Sequence, residues 1–134
     1  MEEESLIMVD SCVWIEHFEK KIPELQQLME KKNVAVCGII LLEFIPFLRD
    51  DKELDWIQYF FRQLKRIDKN LEDSDWENLI FDQQKLIHHG INRIGIPDLL
   101  IMYITKLQNA RLYTIDKTMK KAAHILHVPL YEHS

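Results

Sequence analysis

Leu6-Ile7-Met8-Val9-Asp10-Ser11-Cys12-Val13-Trp14-Ile15 decides how this chain is read. Leu6 to Val9 is a short apolar run that stops abruptly at an acid. Such a run, bounded by a break, is the pattern of a buried strand. Asp10 and Ser11 are both good helix starters, and Val13 to Glu19 then reads helical. The same grammar returns late in the chain. Leu112 to Ile115 reads as a core strand, ends in Asp116, and is followed by a helical Lys117 to Leu126.

Between these two units strands and helices alternate. Pro23 opens a second helix, and Val34 to Cys37 is a second short strand closed by Gly38. Ile39 to Leu48 reads as an apolar helix kinked or stopped near Pro46. Leu54, Ile57, Phe61 and Leu64 line one side of the next helix, and Arg66 to Asp68 suits a short edge strand. Ser74 and Glu77 read as a capping box for a helix whose apolar face is Trp76, Leu79, Ile80, Leu86 and Ile87, ended by Gly90. Gly95-Ile96-Pro97 starts a further helix, and Val128 to Tyr131 suits a last strand. This alternation predicts an α/β fold: three layers, α/β/α, with a short central parallel sheet of about four or five strands flanked by helices. Ligands of such sheets sit beyond the carboxyl ends of the strands.

The 134 residues fit one domain, 1–134, without repeat or linker. No apolar stretch is long enough to span a membrane. The acidic start Met1-Glu2-Glu3-Glu4 is unlike the basic opening of an export signal, and Cys12 and Cys37 lack metal-ligand spacing. A cytoplasmic protein with reduced thiols is therefore expected. The net charge of −5 argues against a module that coats RNA through a broad basic face. It leaves room for a nuclease, because a metal site built from carboxylates is itself acidic. Basic residues gather at Lys20–Lys21, Lys31–Lys32, Arg62 with Lys65 and Arg66, and Lys117 with Lys120 and Lys121; such clusters are more often solvated faces than binding patches.

Asp10, Glu43, Asp98 and Asp116 stand out by position. Asp10 and Asp116 end strands and project from one edge of a parallel sheet. Asp98 lies in the first turn of a helix. Glu43 interrupts Ile39-Ile40-Leu41-Leu42-Glu43-Phe44-Ile45, where a buried carboxylate needs a partner or a metal. Taken singly, the aspartates also suit helix capping and Glu43 suits a narrow exposed face. Together they suit a hard divalent cation, Mg²⁺ or Mn²⁺, which prefers oxygen ligands and relieves the mutual repulsion of clustered acids. Thr114 lies two residues before Asp116, where its hydroxyl would face a bound water or a phosphate, although β-branching alone also explains it.

Val9-Asp10-Ser11-Cys12-Val13-Trp14-Ile15 resembles the opening motif of PIN domains. Glu43, Asp98 within Ile96-Pro97-Asp98-Leu99-Leu100-Ile101, and Asp116 within Leu112-Tyr113-Thr114-Ile115-Asp116 fall where that family carries its other acids. The size and motif order are similar to VapC-like toxins, over essentially the whole chain. The resemblance implies an Mg²⁺- or Mn²⁺-dependent endoribonuclease leaving 5′ phosphate and 3′ hydroxyl ends, the toxin of a toxin–antitoxin pair. It implies Asp10, Glu43, Asp98 and Asp116 as metal ligands and catalytic acids, with Ser11 and Thr114 positioning water or phosphate. It also implies an RNA substrate, a cognate antitoxin docked in an apolar groove beside the acids, and a homodimer.

The chain departs from the pattern at Thr118, where many relatives carry a further acid, at Cys12, where Ser or Asn is common, and at Leu100-Ile101-Met102 in place of alanines. Thr118 supports the alternative of a non-catalytic PIN-like module that binds RNA or protein. A phosphoacceptor receiver-like domain is disfavoured because Cys37-Gly38 follows the second strand without an acid. His124 and His127 are expected to be surface residues, since zinc would want further ligands. Trp56, Tyr59, Phe60 and Phe61, with Phe44 and Phe47, exceed what one helix face needs and suit either core packing or a groove or dimer face.

Overall fold

The computed structural model describes residues 6–48 and 51–132; the acidic start lies outside these residues. At the centre lie β1 (Ile7–Val9), β2 (Val34–Val36), β3 (Lys65–Arg66) and β4 (Arg111–Tyr113), paired in parallel in the order β3-β2-β1-β4. The register sets Met8 beside Ala35 on one side and Leu112 on the other. Every residue of β1 and β2 is buried. Successive side chains point to opposite faces of a sheet, so both faces are covered, as expected of a parallel core.

The covering elements are α1 (Ser11–Lys20), α2 (Pro23–Glu30), α3 (Gly38–Phe44), α4 (Asp51–Arg62), α5 (Asp73–His88), α6 (Ile96–Leu107) and α7 (Lys117–Ile125). The chain visits β2 and β3 on one side of β1, then crosses to β4 on the other. The direction of travel reverses between β1 and β4. The carboxyl ends of those two strands thus form the crevice where parallel sheets place ligands.

Several local expectations shift. α3 stops at Phe44, and Pro46 sits in a tight 3-10 turn, Ile45–Phe47, because proline has no N–H for a longer helix. The edge strand is Lys65–Arg66, with both residues exposed. α5 begins at Asp73, and its capping box is Glu72 with Asp75, not Ser74 with Glu77. A tertiary anchor explains the choice. Asp75 accepts hydrogen bonds from the Glu72 N–H at 2.8 Å and the Tyr103 hydroxyl at 2.6 Å, and Lys69 lies 3.6 Å away.

On α5 only Leu79 and Leu86 of the expected apolar face are buried; Trp76, Ile80 and Ile87 are about half exposed. β4 ends at Tyr113, leaving Thr114 and Ile115 in a turn. The expected last strand is reduced to a single parallel bridge between Leu112 and Leu130. Leu112 donates to the Pro129 carbonyl and accepts from Tyr131, but Pro129 has no N–H with which to extend a ladder.

The aromatic residues divide between both expectations. Phe61 is buried against Trp14 and Phe44, whereas Trp56, stacked on Phe60, and Phe47 stay exposed. Phe18, Phe44, Phe47, Leu48, Trp56 and Ile57 border a groove of about 240 Å³. His88, His89, His124 and His127 are exposed. Among the described residues no helix is long and apolar enough to cross a membrane.

Candidate metal centre

Asp10 is placed by strand pairing. Its N–H donates to the Tyr113 carbonyl at 2.9 Å, carrying the β1–β4 ladder one residue past the strand. Its side chain then turns back to cap α1, where Oδ1 accepts the Ser11 N–H at 2.9 Å. Oδ2 accepts the Thr114 hydroxyl at 2.9 Å and the Cys12 thiol at 3.2 Å. This carboxylate is only 4 % exposed, and the donors fix its orientation. Capping and site formation are therefore compatible at Asp10.

Glu43 arrives from α3. The start of that helix is held by Asp68, which accepts the Gly38 N–H at 2.9 Å and pairs with Arg66 at 2.6 Å. A side chain at position 38 would come within 3.2 Å of the Arg66 guanidinium, so glycine lets helix and edge strand close up. Glu43 Oε1 accepts the Ser11 hydroxyl at 3.2 Å. Burial and the Asp10 charge push its carboxyl above the ordinary range, against the Ser11 hydrogen bond, which pulls the other way.

Asp98, in the first turn of α6, completes the group. One oxygen each from Asp10, Glu43 and Asp98 lie within 4.8 Å of one another. Burial first, then the charges of Asp10, Glu43 and Asp116, push the Asp98 carboxyl up to about 6. Asp10 and Glu43 each have hydrogen-bond donors, but Asp98 accepts none from the described residues. A half-buried carboxylate among like charges and without a donor is costly unless a cation neutralises it. The donor set, carboxylate oxygens with no imidazole or thiolate among them, matches a hard cation such as Mg²⁺ or Mn²⁺.

Asp116 stands apart from these three. It is exposed, and its Oδ1 accepts the Met119 N–H at 3.0 Å as the N-cap of α7. Its charge still reaches Asp98. The helix-capping alternative thus describes its contacts, and it lies at the rim of the group. Thr114 is buried and Asp116 is exposed. The Thr114 hydroxyl donates to Asp10 and accepts the Asp116 N–H at 3.2 Å, so it links the two acids.

Cys12 contributes something the sequence did not signal. Its thiol bridges Asp10 and Thr114, and burial beside Asp10 raises it to about 11, so it serves as a neutral donor. Only its position two residues after Asp10 hinted at this. Thr114→Val should separate orientation from mere packing. Removing one donor to Asp10 and the acceptor of the Asp116 N–H is expected to cost about 1–3 kcal/mol in urea denaturation. It should also weaken Mn²⁺ binding measured by titration. Unchanged Mn²⁺ affinity would show that Asp10 does not depend on this hydroxyl.

The PIN domain profile matches residues 7–125. No curated protein sequence matches significantly. Solved structures share the fold. A chain in the promoter-DNA-bound VapBC2 structure from Rickettsia felis superposes with a TM-score of 0.75 at 20 % identity, covering 96 % of this chain and 99 % of that one. For DNA-bound VapBC from Salmonella typhimurium the values are 0.77 and 15 %, covering 96 % and 98 %. For VapBC-1 from nontypeable Haemophilus influenzae they are 0.71 and 16 %, covering 95 % and 97 %. Neighbours this distant in sequence establish the fold, and the profile match over the strands and helices that carry all four acids establishes the family: this chain belongs to the PIN-domain family.

Proposed function

We propose that this chain, acting as one PIN domain over residues 1–134, is an Mg²⁺- or Mn²⁺-dependent endoribonuclease and the toxin of a toxin–antitoxin pair. The observation that carries the reading is Asp98: a raised, half-buried carboxylate with no donor among the described residues, converging with Asp10 and Glu43. Asp10, Glu43 and Asp98 would hold the cation, with Asp116 adding its negative charge at the rim. A divalent cation supplies Lewis acidity toward water and the phosphodiester.

The chain's own groups do the rest. Asp10 is locked in place by Ser11, Cys12 and Thr114, so the site is ordered before ligands arrive. Ser11 orients Glu43 and lies beside the space where water or a phosphate oxygen would sit. In the reaction, water adds to phosphorus and the bond to the 3′ oxygen breaks. The proton ends on that oxygen, giving a 5′ phosphate and a 3′ hydroxyl.

The similar VapBC structures and the groove beside α1 and α4, where aromatic side chains lie with Glu19 and Glu53, support an antitoxin partner. The half-exposed Trp76, Ile80 and Ile87 of α5 support self-association. The free Cys12 and Cys37 suit a reducing cytoplasm. The direct test is to incubate the purified protein with total RNA, with Mg²⁺ or with EDTA, and to map the ends. Mg²⁺-dependent cuts bearing 5′ phosphates are expected. Saturable RNA binding without turnover would instead favour the non-catalytic module, which the absence of an acid at Thr118 and the outward turn of Asp116 support.

A further inference from the structure

Outside the acid cluster, the loop from Gly90 to Gly95 and the first turns of α7 enclose an open groove of about 480 Å³. Gly90, Ile91, Asn92, Arg93, Thr118 and Lys121 line it. Both walls lead directly to the acids. The loop runs into α6, whose first turn holds Asp98, and α7 begins immediately after Asp116. One wall thus ends at Asp98 and the other begins at Asp116, so both adjoin the acids.

The groove's character is opposite to that of the cluster. Arg93 and Lys121 are exposed and form no ion pair with any described residue, in a chain of net charge −5. Asn92 and Thr118 add neutral donors of the kind that hold phosphate oxygens. At position 90 an added Cβ would meet nothing within 4 Å, so this rim is open. An occupant must bear negative charge to suit these walls. If it also extends into the acid cluster, it must present a second anionic group there. A polynucleotide backbone meets both demands with its repeated phosphates.

We infer that the groove between the Gly90–Gly95 loop and α7 binds a backbone phosphate of single-stranded RNA flanking the phosphodiester held at Asp10, Glu43 and Asp98, with Arg93 and Lys121 supplying the charge. This rests on the ribonuclease reading above and adds where the substrate strand runs. Because backbone phosphates carry no sequence information, the groove sets affinity and register without choosing the sequence.

The test is the affinity of a fluorescein-labelled single-stranded RNA oligonucleotide, measured by anisotropy over a range of salt, with Ca²⁺ present to neutralise the acids. Each phosphate contact on a single strand contributes a salt slope of about 0.7. The double variant R93Q/K121Q should therefore lower the slope by about 1.4 and weaken binding roughly twentyfold at 0.1 M salt, the gap closing toward 1 M. K20Q/K31Q serves as the control. Lys20 ends α1 and Lys31 follows α2 just before the amino end of β2, whereas Asp10 follows the carboxyl end of β1. Its slope should match the wild type, and melting temperatures check that both variants fold.

A wild-type slope in R93Q/K121Q, with RNA binding and Mg²⁺-dependent cleavage intact, overturns the groove and leaves the ribonuclease reading standing. A lowered slope with no cleavage by the wild type supports the groove and overturns the nuclease. No RNA binding by the wild type overturns both.

Discussion

Asp98→Asn is expected to cut Mg²⁺-dependent RNA cleavage by on the order of 10³-fold or more, since a catalytic metal contributes several kcal/mol to the transition state and each 1.4 kcal/mol is tenfold. The same substitution should leave the metal-free protein more stable than the wild type. Asparagine keeps the shape of the side chain and removes the charge. Among the described residues Asp98 makes no hydrogen bond that asparagine would lose, and its charge is opposed by burial and by Asp10, Glu43 and Asp116. Activity and stability therefore move in opposite directions, which a purely structural residue would not do. Asp10→Asn is a less clean test, because Asp10 also caps α1 and accepts Thr114 and Cys12. Undiminished cleavage by Asp98→Asn would remove the proposed mechanism.

Divalent cation is expected to raise the melting temperature. A ligand at about one hundred times its Kd stabilises by about 2.7 kcal/mol, or on the order of 10 °C for a domain of this size. The gain should depend on pH in a definite direction. The folded-state value of Asp98 is raised to about 6, above its unfolded value, and Glu43 is raised as well. The charged form of Asp98 therefore destabilises the metal-free fold fully above pH 6, and that penalty is lifted as pH falls from about 6 toward 4; Glu43 acts in the same direction. Protons then compete with the cation, so the Mg²⁺ effect should be smaller at pH 5.5 than at pH 7.5.

His17 acts the other way. It is buried and accepts the Ile22 N–H, and burial lowers its value, so its protonation costs stability as pH falls. The informative quantity is thus the difference between wild type and Asp98→Asn across pH. An Mg²⁺ response that is flat, or equal in the two proteins, would mean that Asp98 is not part of a cation site.

The sheet and the three converging acids were legible because their signals are local and abrupt. A buried strand running straight into an acid identified Asp10, and a lone carboxylate in an apolar helix identified Glu43. The fate of Asp116 was not legible. An aspartate after a strand can aim at the site or fold back onto its own helix, and here the backbone N–H of Met119 takes the side chain. The same ambiguity was resolved differently at Asp10, because Thr114 arrives from across the crevice and Cys12 from the start of α1 to hold its second oxygen. The start of α5 was misplaced for a related reason: Tyr103, on a different helix, holds Asp75 in the capping position. Pro129 was the visible sign that the last strand would not extend, and its missing N–H mattered more than the apolar residues around it. The Arg93–Lys121 groove joins residues that no spacing rule connects.

The hydrogen bond from Thr114 to Asp10 closes a sequence interval of 104 residues. Translation delivers one end of that bond long before the other. Until β4 emerges and docks beside β1, Asp10 lacks the donor from Thr114, and α7 with its share of the phosphate groove does not yet exist. A growing polypeptide of this topology therefore lacks this lock on Asp10 through most of its synthesis, and the acid cluster is fully ordered only once β4 has docked beside β1.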